Sequence, residues 1–568
     1  MIRCWQLGLP ATFHRIRTAL LPLALLVPGP IAPCARAQVT DLWFEDVTAA
    51  SGIDFTHCDG SSGAHYLVEA VASGMASFDY DRDGLVDVYF LNGSNLEGSD
   101  YRPAPTNALY RNLGEFRFTD ASHASGLADA GFGLGAAVGD IDNDGFSDVY
   151  INNYGANRLY HNNGDGTFTP WIDDVLACGH KVGGGVAMLD IEGDGDLDIY
   201  VANYIQFSYA IPASEFRGRT VYGGPLLYPK EPDDLLRNEG DGTFTNISQS
   251  AGIAEEAEWG MGVIALDYDD DGDTDIFVAN DSTKNFLWEN DGTGRFTEVG
   301  LLTGLAFDHR GDPQGSMGVD AADVNNDGLL DLFQTAATTH HMATSQNVGS
   351  GFFQDATLRW GAGKGTYYPV NWGVAYADFD NDGDRDVFIA NGHIHDNMDD
   401  LDDTVSFRIA NQVLENQGGR RLVDVSAMAG PGMAVEESSR GLVVEDLNLD
   451  GKMDVVVLNI RSRPTVLANR ARRSRHWIAV ELVGVHSNRD AAGSRVWVES
   501  GGKTQVLDVH CGRGYQGHFG SRLHFGLDDA AGVDRIRVRW HAGAEQTVEN
   551  PAVDTLVQIV EPHSVPTR

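Results

Sequence analysis

The chain has 568 residues, 42% apolar and 9% aromatic, enough for a large packed core and more than one ordinary domain. It carries 82 acidic against 40 basic residues, a formal net charge of −42. This excludes nucleic acid and disfavours anionic membrane surfaces, since both need a basic face. Charged residues are only 21% of the chain, too few for a disordered polyanion, so the surplus carboxylates must be solvated or neutralised by cations.

Residues 1–37 read as an export signal. Arg3, Arg15 and Arg17 form a basic start, Ala19 to Val27 a short apolar stretch, and Ala35-Arg36-Ala37 a small-x-small cleavage site before Gln38. No later stretch reaches the roughly 18 uninterrupted apolar residues of a spanning helix. The expected location is therefore secreted, periplasmic or extracellular, with no transmembrane span. Cleavage would remove Cys4 and Cys34 and leave Cys58, Cys178 and Cys511, which is no disulfide framework.

The charge is not evenly spread. Residues 1–37 carry +4 and 470–568 carry +2, so 38–469 carries −48. That region repeats a nine-residue pattern seven times, beginning with D-Y-D-R-D-G-L-V-D (Asp79 to Asp87) and ending with D-L-N-L-D-G-K-M-D (Asp446 to Asp454). Oxygens at positions 1, 3 and 5 can converge on one side of a tight loop, and Gly at position 6 permits the turn that brings position 9 back. Hard oxygen donors in flexible geometry suit Ca²⁺ better than Mg²⁺ or Zn²⁺. The side-chain ligands assigned are Asp79, Asp81, Asp83 and Asp87; Asp140, Asp142, Asp144 and Asp148; Asp190, Glu192, Asp194 and Asp198; Asp267, Asp269, Asp271 and Asp275; Asp323, Asn325, Asp327 and Asp331; Asp378, Asp380, Asp382 and Asp386; and Asp446, Asn448, Asp450 and Asp454. Up to seven Ca²⁺ are expected, with weaker binding in loops five and seven, where Asn325 and Asn448 each cost a charge. An EF-hand is excluded, because Asp stands at position 9 rather than Glu at 12 and β-rich sequence follows.

Around each loop the same elements recur: an apolar or Gly-rich stretch before it, a strand after it, then runs such as N-A-L-Y-R-N (Asn107 to Asn112) and G-T-F-T-P (Gly166 to Pro170). Four short strands per unit, seven times over, predict a seven-bladed β-propeller across 38–469. The seventh unit lacks a fourth strand, and Phe44 to Thr48 (F-E-D-V-T) is a spare one, expected to close the ring.

These units resemble the FG-GAP/VCBS repeats of integrin α-chain-like propellers, whose Ca²⁺ loops join the first two strands of a blade. Residues 470–568 form a second segment. Within it, 476–561 reads as an independent small all-β, sandwich-like domain of seven strands. Its N-R-D-A-A-G-S-R-V-W-V (Asn488 to Val498), G-R-G-Y-Q (Gly512 to Gln516) and F-G-L (Phe525 to Leu527) resemble the ASPIC/UnbV domain, with His541 and Cys511 as departures. The chain as a whole resembles the cartilage-acidic-protein-like group of secreted proteins. That resemblance implies Ca²⁺ binding and an extracellular role.

The expected function is a non-enzymatic binding or adhesion module for an extracellular protein or glycan. No nucleophile elbow, H-E-x-x-H or P-loop occurs. Two alternatives remain: an exported enzyme acting on polysaccharide or another extracellular substrate at the propeller mouth, and a calcium-dependent lectin. His393, His395 and Asp396 are the enzymatic lead, and the insertions at 206–230 and 396–410 are the expected ligand region.

Overall fold

A computed structural model describes residues 40–563. The export signal, Cys4 and Cys34 lie outside the described residues. The chain is all-β, and 40–469 contains seven antiparallel groups of four strands. In the first, Met75–Phe78, Asp87–Phe90, Ala108–Asn112 and Phe118–Asp120 follow one another outward. The first strands of successive units lie side by side in a closed circle, the seventh (Ser439–Glu445) returning to the first. The last unit takes its outer strand from the start of the described chain: Phe44–Asp46 pairs antiparallel with Thr465–Asn469.

Composition explains the layering. Inner strands are buried along their whole length, while outer ones such as Phe118–Asp120 bury only their first residue. Inner strands crowd at the axis, so they are rich in Gly and Ala; a Cβ on Gly135 would fall against the Gly184 carbonyl. Part of the glycine excess therefore reflects close backbone approach at the axis.

Each unit is bolted to its predecessor. The last residue of every third strand is a buried Asn: Asn112, Asn162, Asn238, Asn290, Asn347, Asn416 and Asn469. Each donates its side-chain amide to the carbonyl of position 2 in the preceding acidic loop; Asn162 reaches Tyr80 at 3.0 Å and Asn469 reaches Phe379 at 2.7 Å. Asn112 donates to the Leu447 carbonyl at 2.9 Å and so joins the first unit to the last.

Residues 476–561 form a three-stranded sheet (Leu523–Asp528, His476–Val483, Leu556–Val560) and a four-stranded one (Lys503–Asp508, Arg495–Ser500, Arg535–Arg539, Glu545–Glu549). They share a core containing Val480, Val498, Phe525, Ile536 and Trp540. These two sheets keep a core of their own, and one excursion joins them to the propeller. Residues 510–520 leave these sheets and run into the propeller axis. The Cys511 carbonyl accepts from Met188 N–H at 2.7 Å, Gly514 exchanges hydrogen bonds with Val319, and Ser77 N–H donates to the His518 carbonyl at 2.9 Å. Arg513 pairs with fully buried Asp320 at 3.3 Å, Tyr515 donates to the Val71 carbonyl at 2.7 Å, and Tyr515 and Phe519 sit within the propeller's apolar clusters. The backbone of Gly512, at φ +117°, passes so close to Val186 that only glycine fits. The described residues accordingly form one compact unit.

Asn112→Ala should cost roughly 2–4 kcal/mol, because it strands the buried Val86 and Leu447 carbonyls at about 1–3 kcal/mol each. Chemical denaturation measures this. A loss below about 0.5 kcal/mol would mean that the first-to-last joint does not depend on the amide.

Candidate metal centres

All seven acidic loops have one backbone design. The position-1 carboxylate accepts from the N–H groups of positions 5 and 6; in loop two, Asp140 accepts from Asp144 at 3.0 Å and Gly145 at 2.6 Å. Position 6 is glycine in the left-handed region throughout, from +81° at Gly451 to +101° at Gly272. Position 4 is left-handed too, as at Asn143 and Asn381. The sequence reading missed this second constraint, although Asn, Asp or Gly at five of the seven position-4 sites (Asn143, Gly193, Asp270, Asn326, Asn381) signals it.

Position 9 opens the second strand and is buried in every loop: Asp87, Asp148, Asp198, Asp275, Asp331, Asp386 and Asp454. One of its oxygens accepts from the position-2 N–H and the other from the N–H of the third-strand Asn; Asp148 takes Ile141 at 3.0 Å and Asn162 at 2.7 Å. Burial, followed by the neighbouring carboxylates, pushes Asp87, Asp148 and Asp331 up to about 8. It pushes Asp140 and Asp378 to about 7. Position 5 stays exposed in six of the loops (Asp382 is half-buried), so each cluster grades from a buried floor to an open mouth.

Side-chain oxygens converge in four loops. Asp79, Asp81 and Asp87, and likewise Asp378, Asp380 and Asp386, place one oxygen each within 4.8 Å of the others; Asp140, Asp142 and Asp144, and Asp267, Asp269 and Asp271, do the same from positions 1, 3 and 5. That spread is about twice a Ca–O bond, so the trios span one common centre. His161 adds a second grouping with Asp142 and Asp148. Loops three, five and seven, with Glu192, Asn325 and Asn448 at position 3, form no such carboxylate trio among the described residues. The donors are oxygens, most of them anionic and part-buried, which fits a hard divalent cation: it would offset the desolvation that lifts these carboxyls.

The C-terminal segment touches six of the loops, four of them through an Arg or His side chain beside a carboxylate. Arg522 lies 3.5 Å from Asp79, His541 3.7 Å from Asp190, Arg539 2.8 Å from Asp267 and Arg475 2.7 Å from Asp380. Arg489 N–H donates to the Asn143 side chain at 2.8 Å, and His524 Nε2 lies 3.1 Å from the Gly451 carbonyl. The +2 segment thus rests its cations on the acidic face of the −48 region.

The opposite face holds the enzymatic lead. His393 is buried, and its Nδ1 accepts from the His395 N–H at 3.0 Å. Desolvation pushes both imidazoles down to about 4. Asp396 pairs with Arg461 at 3.0 Å and with His65 at 3.4 Å, and Tyr222 packs its ring against His65 and His395. These groups gather, yet no trio of metal-capable atoms converges among them. The two insertions also meet here: Asn397 donates to the Thr220 carbonyl at 2.8 Å, and Val221 packs with Met398 and Leu401. Cys58, Cys178 and Cys511 are free thiols.

The family described as FG-GAP-like repeat matches residues 79–151, 140–201, 226–278, 267–333 and 378–457, together more than half of the chain. The family described as ASPIC and UnbV matches 484–566. Cartilage acidic protein 1 of Mus musculus is 26% identical over 360 residues, 60% of this chain and 51% of its own length; that of Homo sapiens is 25% identical over 367 residues, 60% and 50%. The chain spans about half the length of these curated relatives. A solved structure concerning recognition of non-reducing terminal N-acetylglucosamine by an Agrocybe aegerita lectin overlays 62% of this chain and 79% of its own, at 18% identity and a TM-score of 0.39.

Arg475 and Asp380 are both nearly buried, so Arg475→Gln leaves Asp380 without its partner. In EDTA-treated protein the cost should be about 3–5 kcal/mol, and clearly less with Ca²⁺ present. Urea denaturation in both conditions checks this. Equal losses would show that Asp380 does not share its charge between guanidinium and ion.

Proposed function

The chain belongs to the FG-GAP-like repeat family, and from that premise we propose that it is an exported, Ca²⁺-loaded, non-enzymatic module that binds an extracellular protein or glycan. The observation that carries the reading is the seven-fold loop design, with its buried position-9 carboxylate and position-1 carboxylate held by two backbone N–H groups. Positions 1, 3, 5 and 9 of each loop would hold the ion, and loops five and seven would hold it more weakly. The ion supplies positive charge to a floor that otherwise resists ionisation. Export rests on the basic, apolar and small-residue succession before Gln38. No helix among the described residues is long and apolar enough to cross a membrane.

The partner surface in this reading is the face where the 206–230 and 396–410 insertions meet. Tyr66, Phe207 and Tyr209 pack edge to face there, and all three are half-buried. A glycan partner would make the protein a calcium-dependent lectin, since stacking on such rings suits sugar faces.

EDTA should lower the melting temperature, and Ca²⁺ should restore it better than Mg²⁺. Each site adds about 2.7 kcal/mol when free Ca²⁺ stands a hundredfold above its Kd. Calorimetry with metal counting checks both, with up to seven ions expected. An unchanged melting curve would contradict the reading.

One observation favours a second reading, an exported enzyme: His65, Tyr222, His395, Asp396 and Arg461 converge at the axis mouth. Turnover of an extracellular polysaccharide that His395→Gln abolishes without lowering the melting temperature would support it. No turnover across a polysaccharide panel would leave the binding module standing.

A further inference from the structure

Where the propeller meets the C-terminal sheets lies a cavity of about 600 Å³, inside the roughly 300–1,000 Å³ range of small-molecule sites. Loops one and two form one side, and strands His476–Val483 and Leu556–Val560 the other. Three guanidinium groups line it: Arg82, Arg489 and Arg522. Arg522 is committed to Asp79 and the Gly84 carbonyl. The other two make no direct pair with a carboxylate, although both act electrostatically on Asp490 in the same wall. In a chain of net charge −42, neither Arg82 nor Arg489 forms an ion pair among the described residues.

Arg82 stands at position 4 of loop one, at φ +56°, with its guanidinium 4.8 Å from the centre of the Phe146 ring. Cation–π contact fixes its direction and leaves its N–H donors free. Arg489 spends one donor on the Gly484 carbonyl, at a long 3.4 Å, while its buried Nε has no acceptor. His518, 2% exposed, lines the same cavity with Nδ1 unpartnered.

The acids in the wall, by contrast, already have donors. Asp490 accepts from Asp140 N–H at 2.5 Å, Glu445 from Ser77 and Gly520, Glu481 from Gln558, and Asp79 from Asp83 and Gly84. The buried Arg489 Nε carries a desolvation cost that a ligand oxygen would relieve, and the exposed Arg82 adds a second guanidinium at the cavity mouth. A guanidinium fork matches a carboxylate in two parallel hydrogen bonds, and Ser147, Ser521 and Gln558 offer neutral partners for hydroxyl groups.

We propose that this cavity binds a small carboxylate-bearing ligand of the uronic acid kind, with Arg82 and Arg489 gripping the carboxylate. The site borders loop one, with Arg82 at its fourth position and Asp79 in the wall, but the ligand it would take is an anion rather than a cation. It also lies away from the insertion face assigned to the extracellular partner.

Isothermal titration of the full chain in Ca²⁺-containing buffer with glucuronate, glucose and sulfate at matched ionic strength tests it. Glucuronate should saturate with a Kd of about 1 mM or tighter, and glucose and sulfate should bind at least about tenfold more weakly. The double variant Arg82→Gln/Arg489→Gln should weaken glucuronate by at least about tenfold, while Arg310→Gln at an exposed turn leaves it unchanged. Arg489→Lys keeps the charge and loses the fork, so it should weaken glucuronate too, which keeps the test open if the double variant folds poorly. Absence of glucuronate binding, equal binding of sulfate or glucose, or full binding by either cavity variant would overturn the proposal.

Discussion

The structure depends on one buried aspartate repeated seven times. A carboxylate removed from water survives only when donors replace the lost hydration. At position 9 those donors are two backbone N–H groups, one from the acidic loop and one from the third-strand Asn. The same Asn then sends its side chain to the preceding loop. One buried carboxyl therefore fixes the loop, the register of three strands and the joint to the preceding unit. Asn112 applies the same bond between the last unit and the first, so closing the ring needs no special element. The outer strand Phe44–Asp46 seals the edge of a circle that the amides already join.

That solution leaves a surplus of negative charge at one end of the ring. Backbone donors serve positions 1, 5 and 9 in every loop, but the carboxylates of positions 3 and 5 still crowd the same small volume. Two kinds of cation can relieve the repulsion. Arginines of the C-terminal segment take Asp267 and Asp380 directly, and Arg111 from the first unit takes Asp81. A divalent ion would serve the same oxygens from inside the loop. The C-terminal segment is thus part of the electrostatics of the acidic face, and its excursion through 510–520 anchors it there.

Much of this was legible from sequence because the constraint repeats. Seven copies of the D-x-D-x-D-G-x-x-D frame (with Asn or Glu at some third positions), in phase with strand-like runs, gave the all-β class, the four-strand units and the spare outer strand. The seven strands expected in 476–561 are the seven that the C-terminal sheets contain. What stayed hidden depends on contacts distant in sequence. The Asn ending N-A-L-Y-R-N is visible, but its acceptor belongs to another unit, 335 positions away for Asn112. The excursion of 510–520 was missed for a related reason: G-R-G-Y-Q reads as a turn, and only the inner strands show why glycine must stand there. His393 and His395 looked alike in a six-residue string, yet the fold buries the first and sets the second beside His65 and Tyr222, which come from two other segments.

The axis itself is ruled out as a ligand channel. Tyr515 from the C-terminal segment packs on Trp372 with ring centroids 5.2 Å apart, and the buried Arg440 guanidinium covers the other contact of that indole at 4.0 Å. Arg440 in turn holds the His393 carbonyl and, through Ala70, the segment that enters the first unit. A continuous column of side chains therefore runs from the acidic face to the face of the insertions. A ligand must bind at the ends or sides of this column: over the insertions, in the loops, or in the cleft beside Arg82 and Arg489. Tyr515, Trp372, Arg440 and the backbone of His393 form one chain of direct contacts from the C-terminal segment to the insertion face.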